Sequence, residues 1–183
     1  MKYKFHRDLK SRGLAVGKNA IYDFLRYVVD AFLVFQVPIY SASERVRQVN
    51  PSKVYGIDVG LLRACAPVQR PDTGRMLENA VFLTLRRDAR SVAYHRTESG
   101  YEVDFVVQRW DGTRSLVQVC ADPSEAGTLE RETRALVEAR TELGIDDVVI
   151  VTLHQEDVVE AGGAKIPVVP AWRFALSRAQ EKG

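Results

Sequence analysis

The 183 residues are enough for one domain or two small ones, with room for a hydrophobic core. A composition of 46% hydrophobic and 27% charged residues is typical of globular proteins and excludes a disordered tail. Two cysteines, Cys65 and Cys120, are too few for a disulfide framework or a cysteine-rich zinc site. No apolar run is long enough to span a bilayer, and the first residues lack the apolar segment of a signal peptide. We therefore expect a cytoplasmic protein of a reducing compartment, with no membrane partner.

The net charge of +2 hides an uneven distribution along the chain. Residues 1–70 carry a balance of +7, and residues 71–183 carry −5. Such a split indicates two units with different partners, and it makes the basic unit a candidate for contact with phosphate backbones. A solvated charged face is the alternative explanation of the same distribution.

The first unit shows a helical pattern followed by two extended segments. Apolar residues recur at helical spacing from Ala20 to Val34. An extended segment, Leu33–Tyr40, comes next, then the polar residues 41–48, and then a returning strand, Lys53–Asp58. Helix, strand, polar tip and strand is the order of a winged helix, so the pattern predicts a winged-helix-like segment over residues 1–70.

A linker is predicted between the two units. A short helix opens at Asp58 and ends near Pro67. Residues 67–74 contain two prolines, one glycine and no hydrophobic periodicity. This composition places the second domain at residues 71–183.

The second unit alternates helical and extended patterns in a recognisable order. The strands of its meander are indicated by apolar alternation and by the tight turn Asp111-Gly112. A continuous Val/Ile run at residues 147–153 is typical of a strand buried on both faces. The predicted elements are helix 75–87, strands 91–97, 101–109 and 115–120, helix 124–143, strands 147–153 and 166–169, and a terminal segment 171–180. The order α-β-β-β-α-β-β-α predicts an α/β layer sandwich with a mixed sheet.

This order resembles the core of the PD-(D/E)XK nuclease-like fold. In that fold a helix carboxylate, a strand aspartate and a Glu-x-Lys hold divalent metal against the scissile phosphate. The resemblance implies that Glu78, Asp104 and Gln118 are the catalytic and metal-binding residues, with Cys120 at the lysine position. Mg²⁺ or Mn²⁺ is the cofactor implied if the site is active, because hard cations prefer oxygen ligands.

The third motif departs from the pattern of the fold. Gln118 supplies a neutral carbonyl oxygen in place of a carboxylate, and Cys120 removes the positive charge expected near the phosphate. The following helix offers only Arg131 and Arg134 as replacements, and the high pKa of arginine makes it a poor proton-transfer group. These departures argue against nuclease activity, and whether the chain is an enzyme stays open.

Both units together resemble the C-terminal half of a prokaryotic AAA+ ATPase family. The motifs are Asn50-Pro51-Ser52-Lys53-Val54-Tyr55-Gly56-Ile57-Asp58-Val59-Gly60, Leu77-Glu78-Asn79 and Glu102-Val103-Asp104-Phe105. In that family a P-loop domain precedes a winged helix and a nuclease-like domain of unknown function. The resemblance extends from about Gly13 to Leu176. Since no G-x-x-x-x-G-K-[ST] motif occurs in the sequence, we expect no ATP hydrolysis by this chain itself.

Three functions are compatible with the sequence. The first is a DNA-binding or partner-binding module with a degenerate nuclease-like domain. In it Lys18, Asn19 and Arg26 contact DNA from a helix, and Arg45 and Arg47 contact it from the wing. The second is a metal-dependent DNA phosphodiesterase with a variant active site. The third is a structural role in the assembly of a full ATPase, with an ATPase domain or another protein as the partner.

Overall fold

The computed structural model describes residue 13 and residues 17–65, 72–124 and 127–180. The chain divides into two compact units, residues 1–65 and 66–183. Most of the predicted linker falls on residues 66–71, which lie outside the described ranges. In the parts of the chain that the structure describes, no helix has both the length and the apolar character needed to cross a membrane.

Within residues 17–65, the first unit shows three helices and a two-stranded antiparallel sheet. Its elements are α1 (Lys18–Asp30), β1 (Val34–Val37), α2 (Glu44–Val49), β2 (Lys53–Gly56) and α3 (Val59–Cys65). The two strands pair from Val34↔Gly56 to Val37↔Lys53.

The segment between β1 and β2 differs from the polar tip that the sequence predicts. It contains α2, because the side chain of Ser43 accepts a hydrogen bond from the backbone N–H of Val46 and thereby caps the helix. Asn19 lies in the first turn of α1, and Gly17 occupies the N-cap position.

The second unit carries the larger sheet and the larger core. Its elements are α4 (Thr73–Arg86), β3 (Ala89–Arg96), β4 (Glu102–Arg109), β5 (Arg114–Cys120), α5 (Thr128–Leu143), β6 (Asp147–Thr152), β7 (Asp157–Ala161), β8 (Ala164–Pro170) and α6 (Ala171–Gln180). The six strands lie in the order β3-β4-β5-β6-β8-β7. The pairs β3–β4, β4–β5 and β7–β8 are antiparallel, whereas β5–β6 and β6–β8 are parallel. The predicted α/β sandwich with a mixed sheet is therefore confirmed.

One strand of this sheet is absent from the sequence-based prediction. β7 pairs with β8 through a hairpin whose turn residues, Gly162 and Gly163, both have a positive φ. Its residues are mostly exposed, so β7 lacks the hydrophobic alternation by which the other strands are recognised.

The core of the second unit lies between the helices and the sheet. Val103, Phe105 and Leu116 are fully buried, and the ring of Phe82 on α4 stacks on that of Phe105 with centroids 6.3 Å apart. α4 packs against β3, β4 and β5 and contacts α6, while α5 packs against β4, β5, β6 and β7. This packing brings the side chains at the start of β4 and the end of β5 next to both α4 and α5.

Candidate functional site

A cavity of about 380 Å³ lies where α4 and α5 meet the start of β4 and the end of β5. The residues that matter for its chemistry are Glu78, Tyr101, Asp104, Gln118, Arg131 and Glu132. We call it the acidic pocket. The structure thus brings together Glu78, Asp104 and Gln118, which the sequence analysis singled out as catalytic and metal-binding residues. Their catalytic role stays a prediction.

Local structure explains how each side chain reaches the pocket. The side chain of Asp72 caps α4 by accepting a hydrogen bond from the N–H of Arg75 at 3.1 Å. Leu77 is buried in the core, and the next residue of the helix, Glu78, lines the pocket. In β4, Val103 and Phe105 are both fully buried on one face, so alternation directs Asp104 to the other.

Asp104 on β4 is joined to the end of β5 by two hydrogen bonds, one with Val119 and one with Gln118. The Oδ2 atom of Asp104 accepts from the backbone N–H of Val119 at 3.0 Å. The Oε1 atom of Gln118 accepts from the backbone N–H of Asp104 at 3.1 Å. The carbonyl oxygen that Gln118 was expected to offer a metal is therefore already engaged by the protein backbone.

The other end of the Gln118 amide binds Glu132. Its Nε2 atom donates to Oε2 of Glu132 at 2.5 Å, and the side chain of Glu132 is only 12% exposed. The opposite oxygen of Glu132 accepts from Nη2 of Arg131 at 2.7 Å. Sequence reasoning missed Glu132, because it belongs to no motif and reaches the pocket only through the packing of α5 on the sheet.

Cys120 is a buried thiol beside the pocket. Burial, with a smaller contribution from the negative charge of Glu132, raises the pKa of Cys120 to about 11. The residue at the expected lysine position is therefore a neutral, unreactive group, and it supplies no positive charge to a phosphate.

The two arginines of α5 have different environments. Arg131 lines the pocket and pairs with Glu132, so its charge is compensated there. Arg134 binds the hydroxyl of Tyr101 at 3.2 Å and Glu130 at 2.8 Å. Arg131 is thus the cation nearer to the position that a catalytic lysine would fill.

The pocket residues do not form a ready metal site. In the described ranges, no three His, Cys, Asp or Glu side chains cluster closely enough to hold a metal ion. Gln118 and one oxygen of Asp104 are already hydrogen-bonded within the protein. The donor set therefore offers fewer carboxylate oxygens than a hard cation prefers, and metal binding by Glu78, Asp104 and Gln118 stays a prediction.

Two further carboxylates of α5 fix the β3–β4 turn, which precedes Tyr101. The backbone N–H of Ser99 donates to Glu138 at 2.9 Å, and that of Glu98 donates to Glu142 at 2.8 Å. The bond from Ser99 holds the pKa of Glu138 below its ordinary value. His95, a strand residue without an assigned role in the sequence, lies 2.8 Å from Glu142 through its Nε2 atom.

The nucleic-acid candidates of the first unit lie on α1 and α2. Lys18 begins α1, although its side chain lies outside the described part, and Asn19 is exposed one residue later. Arg26 is exposed, with its guanidinium 3.6 Å from Asp23 and 5.4 Å from the ring centroid of Tyr27. The side chains of Asn19 and Arg26 are accessible from solvent, and the role of all three residues in DNA binding stays a prediction.

Arg45 and Arg47 lie on α2 and not on an extended wing. Arg47 donates from Nη1 to the backbone oxygen of Ser41 at 2.5 Å, so part of its hydrogen-bonding capacity stabilises the segment before the helix. Both residues are exposed.

Comparison with known proteins places the second unit in a family. Residues 73–174, more than half of the chain, match the family described as "Domain of unknown function (DUF4143)". The chain is also 31% identical over 178 residues to the uncharacterized protein MJ1544 of Methanocaldococcus jannaschii. That alignment covers 92% of this chain but only 39% of the relative, so the chain spans about two fifths of the relative's length.

A solved structure gives a much weaker likeness. It is a half-complex from a tetradecameric assembly of Thermococcus gammatolerans McrB AAA+ hexamers with bound McrC. The match covers 61% of this chain and 34% of that chain at 10% identity, with a TM-score of 0.39, which is too low to carry an argument. The family match is independent of it, and the chain belongs to the DUF4143 family.

Proposed function

We propose that the chain is a non-catalytic binding module of a longer, AAA+ ATPase-like protein, with DNA or another protein as its ligand. The observation that carries this proposal is the engagement of both ends of the Gln118 amide, by Asp104 and by Glu132. A nuclease-like site would need a metal-binding carboxylate at this position, and here a neutral side chain connects two other pocket residues.

The charges around Gln118 support the same proposal. The neutral Cys120 thiol provides no cation, and the positive charge of Arg131 is compensated by Glu132. An entering phosphate would therefore meet five acidic residues, Asp72, Glu78, Glu102, Asp104 and Glu132, against two arginines, Arg75 and Arg131. Without a bound metal ion, this arrangement repels the substrate of a nuclease.

The length of the relative supports the place of the module in a larger protein. Since this chain spans 39% of MJ1544, the relative has room for a further domain such as an ATPase. The sequence of this chain contains no P-loop motif. An ATPase-associated role would therefore depend on a P-loop domain other than the two units described.

The test is cleavage of supercoiled and single-stranded DNA in Mg²⁺ and Mn²⁺, with the Asp104→Ala variant purified in the same way as the control. We expect the same background with both proteins. Metal-dependent cleavage by the wild type that is lost in Asp104→Ala would overturn the proposal.

One observation favours a second candidate, a metal-dependent DNA phosphodiesterase. Five acidic residues, Asp72, Glu78, Glu102, Asp104 and Glu132, line one cavity. A double variant, Gln118→Glu with Cys120→Lys, restores the charge pattern of the nuclease-like fold. If titration calorimetry shows Mn²⁺ binding by the double variant and none by the wild type, the native pocket is a nuclease-like site that has lost its metal, as the first proposal requires. Equal binding by both would favour the phosphodiesterase.

DNA binding by the first unit has its own test. We expect salt-dependent DNA binding that weakens when Lys18 and Arg26 are replaced by glutamate, because each lost phosphate contact reduces the number of released counterions. Binding that is insensitive to both changes would leave a protein partner as the ligand of α1.

A further inference from the structure

The end of the large sheet that lies away from the acidic pocket is rich in arginine. Arg109 is the last residue of β4 and Arg114 the first of β5, and the register Gln108↔Arg114 brings them to the same end of the sheet. This end is about 17 Å along β4 from Asp104, at the usual rise per residue. We call it the arginine end, and it comprises Arg86, Arg87, Arg90, Arg109, Trp110 and Arg114.

The remaining arginines come from the connection between α4 and β3. Ala89 pairs with Arg109, so its neighbour Arg90 lies at the same end of the sheet. Arg86 is the last residue of α4 and Arg87 is its C-cap. Arg86, Arg87, Arg90 and Arg114 are all exposed.

The aspartates nearby are largely engaged within the protein. Asp111 accepts from the N–H and the hydroxyl of Thr113, at 2.9 and 2.7 Å. Asp146 pairs with Arg140 at 2.7 Å, and Asp147 lies 3.6 Å from Arg109. Asp88, between Arg87 and Ala89, is half-buried. With Asp146 balanced by Arg140, the five arginines of this end stand against three aspartates, Asp88, Asp111 and Asp147, so its charge balance is positive.

A cavity of about 460 Å³ continues the same surface. Its polar lining includes Arg109, Asp147, Arg173, Ser177 and Arg178. The Nε atom of Arg109 is buried and has no hydrogen-bond partner among the described residues. A buried donor without an acceptor is unfavourable, and an anionic oxygen entering the cavity would relieve it.

Trp110 identifies the class of anion. Its side chain is 76% exposed at the tip of the β4–β5 turn, directly after Arg109. An exposed indole beside several arginines can stack on a nucleobase while the arginines bind the phosphates. A duplex keeps its bases stacked inside, and an acidic peptide has no base to place on the indole. We propose that the arginine end binds single-stranded nucleic acid, with a base stacked on Trp110 and phosphates on Arg87, Arg90 and Arg114.

The proposal rests on the binding role proposed above, and it does not depend on whether the acidic pocket is inactive. Its test is fluorescence anisotropy of a labelled oligothymidylate of roughly ten nucleotides with the full chain in EDTA. We expect Trp110→Ala to weaken binding at least fivefold, and Arg87→Glu with Arg114→Glu to weaken it at least tenfold and flatten its salt dependence. The control compares Arg96→Glu with Arg114→Glu alone, the same single charge reversal at opposite ends of the sheet, and we expect only Arg96→Glu to bind within twofold of the wild type.

Three outcomes would overturn the proposal. The first is equal weakening by Arg96→Glu, because binding would then follow net charge alone. The second is loss of binding on changing Lys18 and Arg26 but not the arginine end, which would place the nucleic acid on the first unit. The third is competition by polyglutamate as strong as that by unlabelled oligothymidylate, which would make the ligand an acidic protein segment. Folding of each variant is checked by its urea midpoint.

Discussion

Gln118 and Glu132 are joined by a hydrogen bond from Nε2 to Oε2, and this bond closes one wall of the acidic pocket. Gln118 is 97% buried, since only 3% of its surface is exposed. The amide N–H of Gln118 gives one oxygen of this largely buried carboxylate a hydrogen-bond partner. Internal hydrogen bonds therefore hold this wall of the pocket together.

Replacing this donor by a carboxylate should destabilise the fold. In Gln118→Glu the new carboxylate faces Glu132, and we expect a loss of about 2 kcal/mol or more in the free energy of unfolding at neutral pH. The repulsion raises the pKa of the pair in the folded state above its unfolded value near 4.3. Stability should therefore recover as the pH falls toward that value, and it is measured by urea unfolding at several pH values.

Gln155→Glu is the matched control for this change. Its amide also lies near a carboxylate, 3.5 Å from Asp122, but at an exposed position. We expect a change of less than about 0.5 kcal/mol there. A Gln118→Glu variant as stable as the wild type at neutral pH would contradict the hydrogen-bonded arrangement.

The two cysteines should differ sharply in reactivity. A pKa of about 11 leaves roughly 0.1% of Cys120 as thiolate near pH 8, whereas Cys65 is exposed. We expect one thiol per native chain to react rapidly with a disulfide reagent and the second to react only after unfolding. Cys65→Ser should remove the fast phase, and a fast phase remaining in that variant would contradict the buried position of Cys120.

Acidification should release the β3–β4 turn from α5. The pKa of Glu138 is lowered by the N–H of Ser99, so the carboxylate contributes stability above its unfolded value, near 4.5, and the contribution is lost as the pH falls. We expect the Ser99 amide to exchange faster with solvent in Glu138→Gln at neutral pH than in the wild type, as followed by NMR. Unchanged exchange of Ser99 in the variant would show that the bond does not protect the turn.

The Gly162-Gly163 hairpin allows a paired test of packing. Both residues have a positive φ, but a Cβ on Gly162 would also overlap Val137 of α5, whereas Gly163 has open space around it. Gly163→Ala should cost about 1 kcal/mol, from conformation alone. Gly162→Ala should cost roughly 1–3 kcal/mol more, because Val137 must move. Equal urea midpoints for the two variants would mean that β7 does not pack on α5 through this residue.

Much of the second unit was predictable from local sequence. Three features could be predicted from short stretches of sequence: the strand β4 from its alternating apolar residues, the turn at Asp111-Gly112, and the buried strand β6 from its apolar run. The structure contains all three. β7 was missed because its side chains are mostly exposed, although the Gly162-Gly163 pair was a hairpin signal. α2 was missed because six residues are too few to show helical periodicity.

Of the pocket residues, the sequence predicted only those that belong to the motifs of the nuclease-like fold. Glu78, Asp104 and Gln118 come from elements whose order the sequence indicates, and all three line the same cavity. Glu132 lies one turn into α5, and its approach to Gln118 depends on how that helix packs on β5. The rotation of α5 about its own axis is fixed by the contacts that the buried residues Thr133, Leu136 and Ala139 make with the sheet. The spacing of residues along the chain does not specify these contacts.

The chain order of the meander has a consequence for folding. β3, β4 and β5 are consecutive and pair as neighbours, so they can associate before α5 and the parallel strand β6 are added. Asp104 and Gln118 would then meet in the transition state, and Glu132 would join them after it. On this hypothesis Glu132→Ala accelerates unfolding with little effect on the folding rate, whereas Val106→Ala in β4 slows folding. Stopped-flow measurements of both variants in urea would show whether the pocket is completed only in the last step of folding.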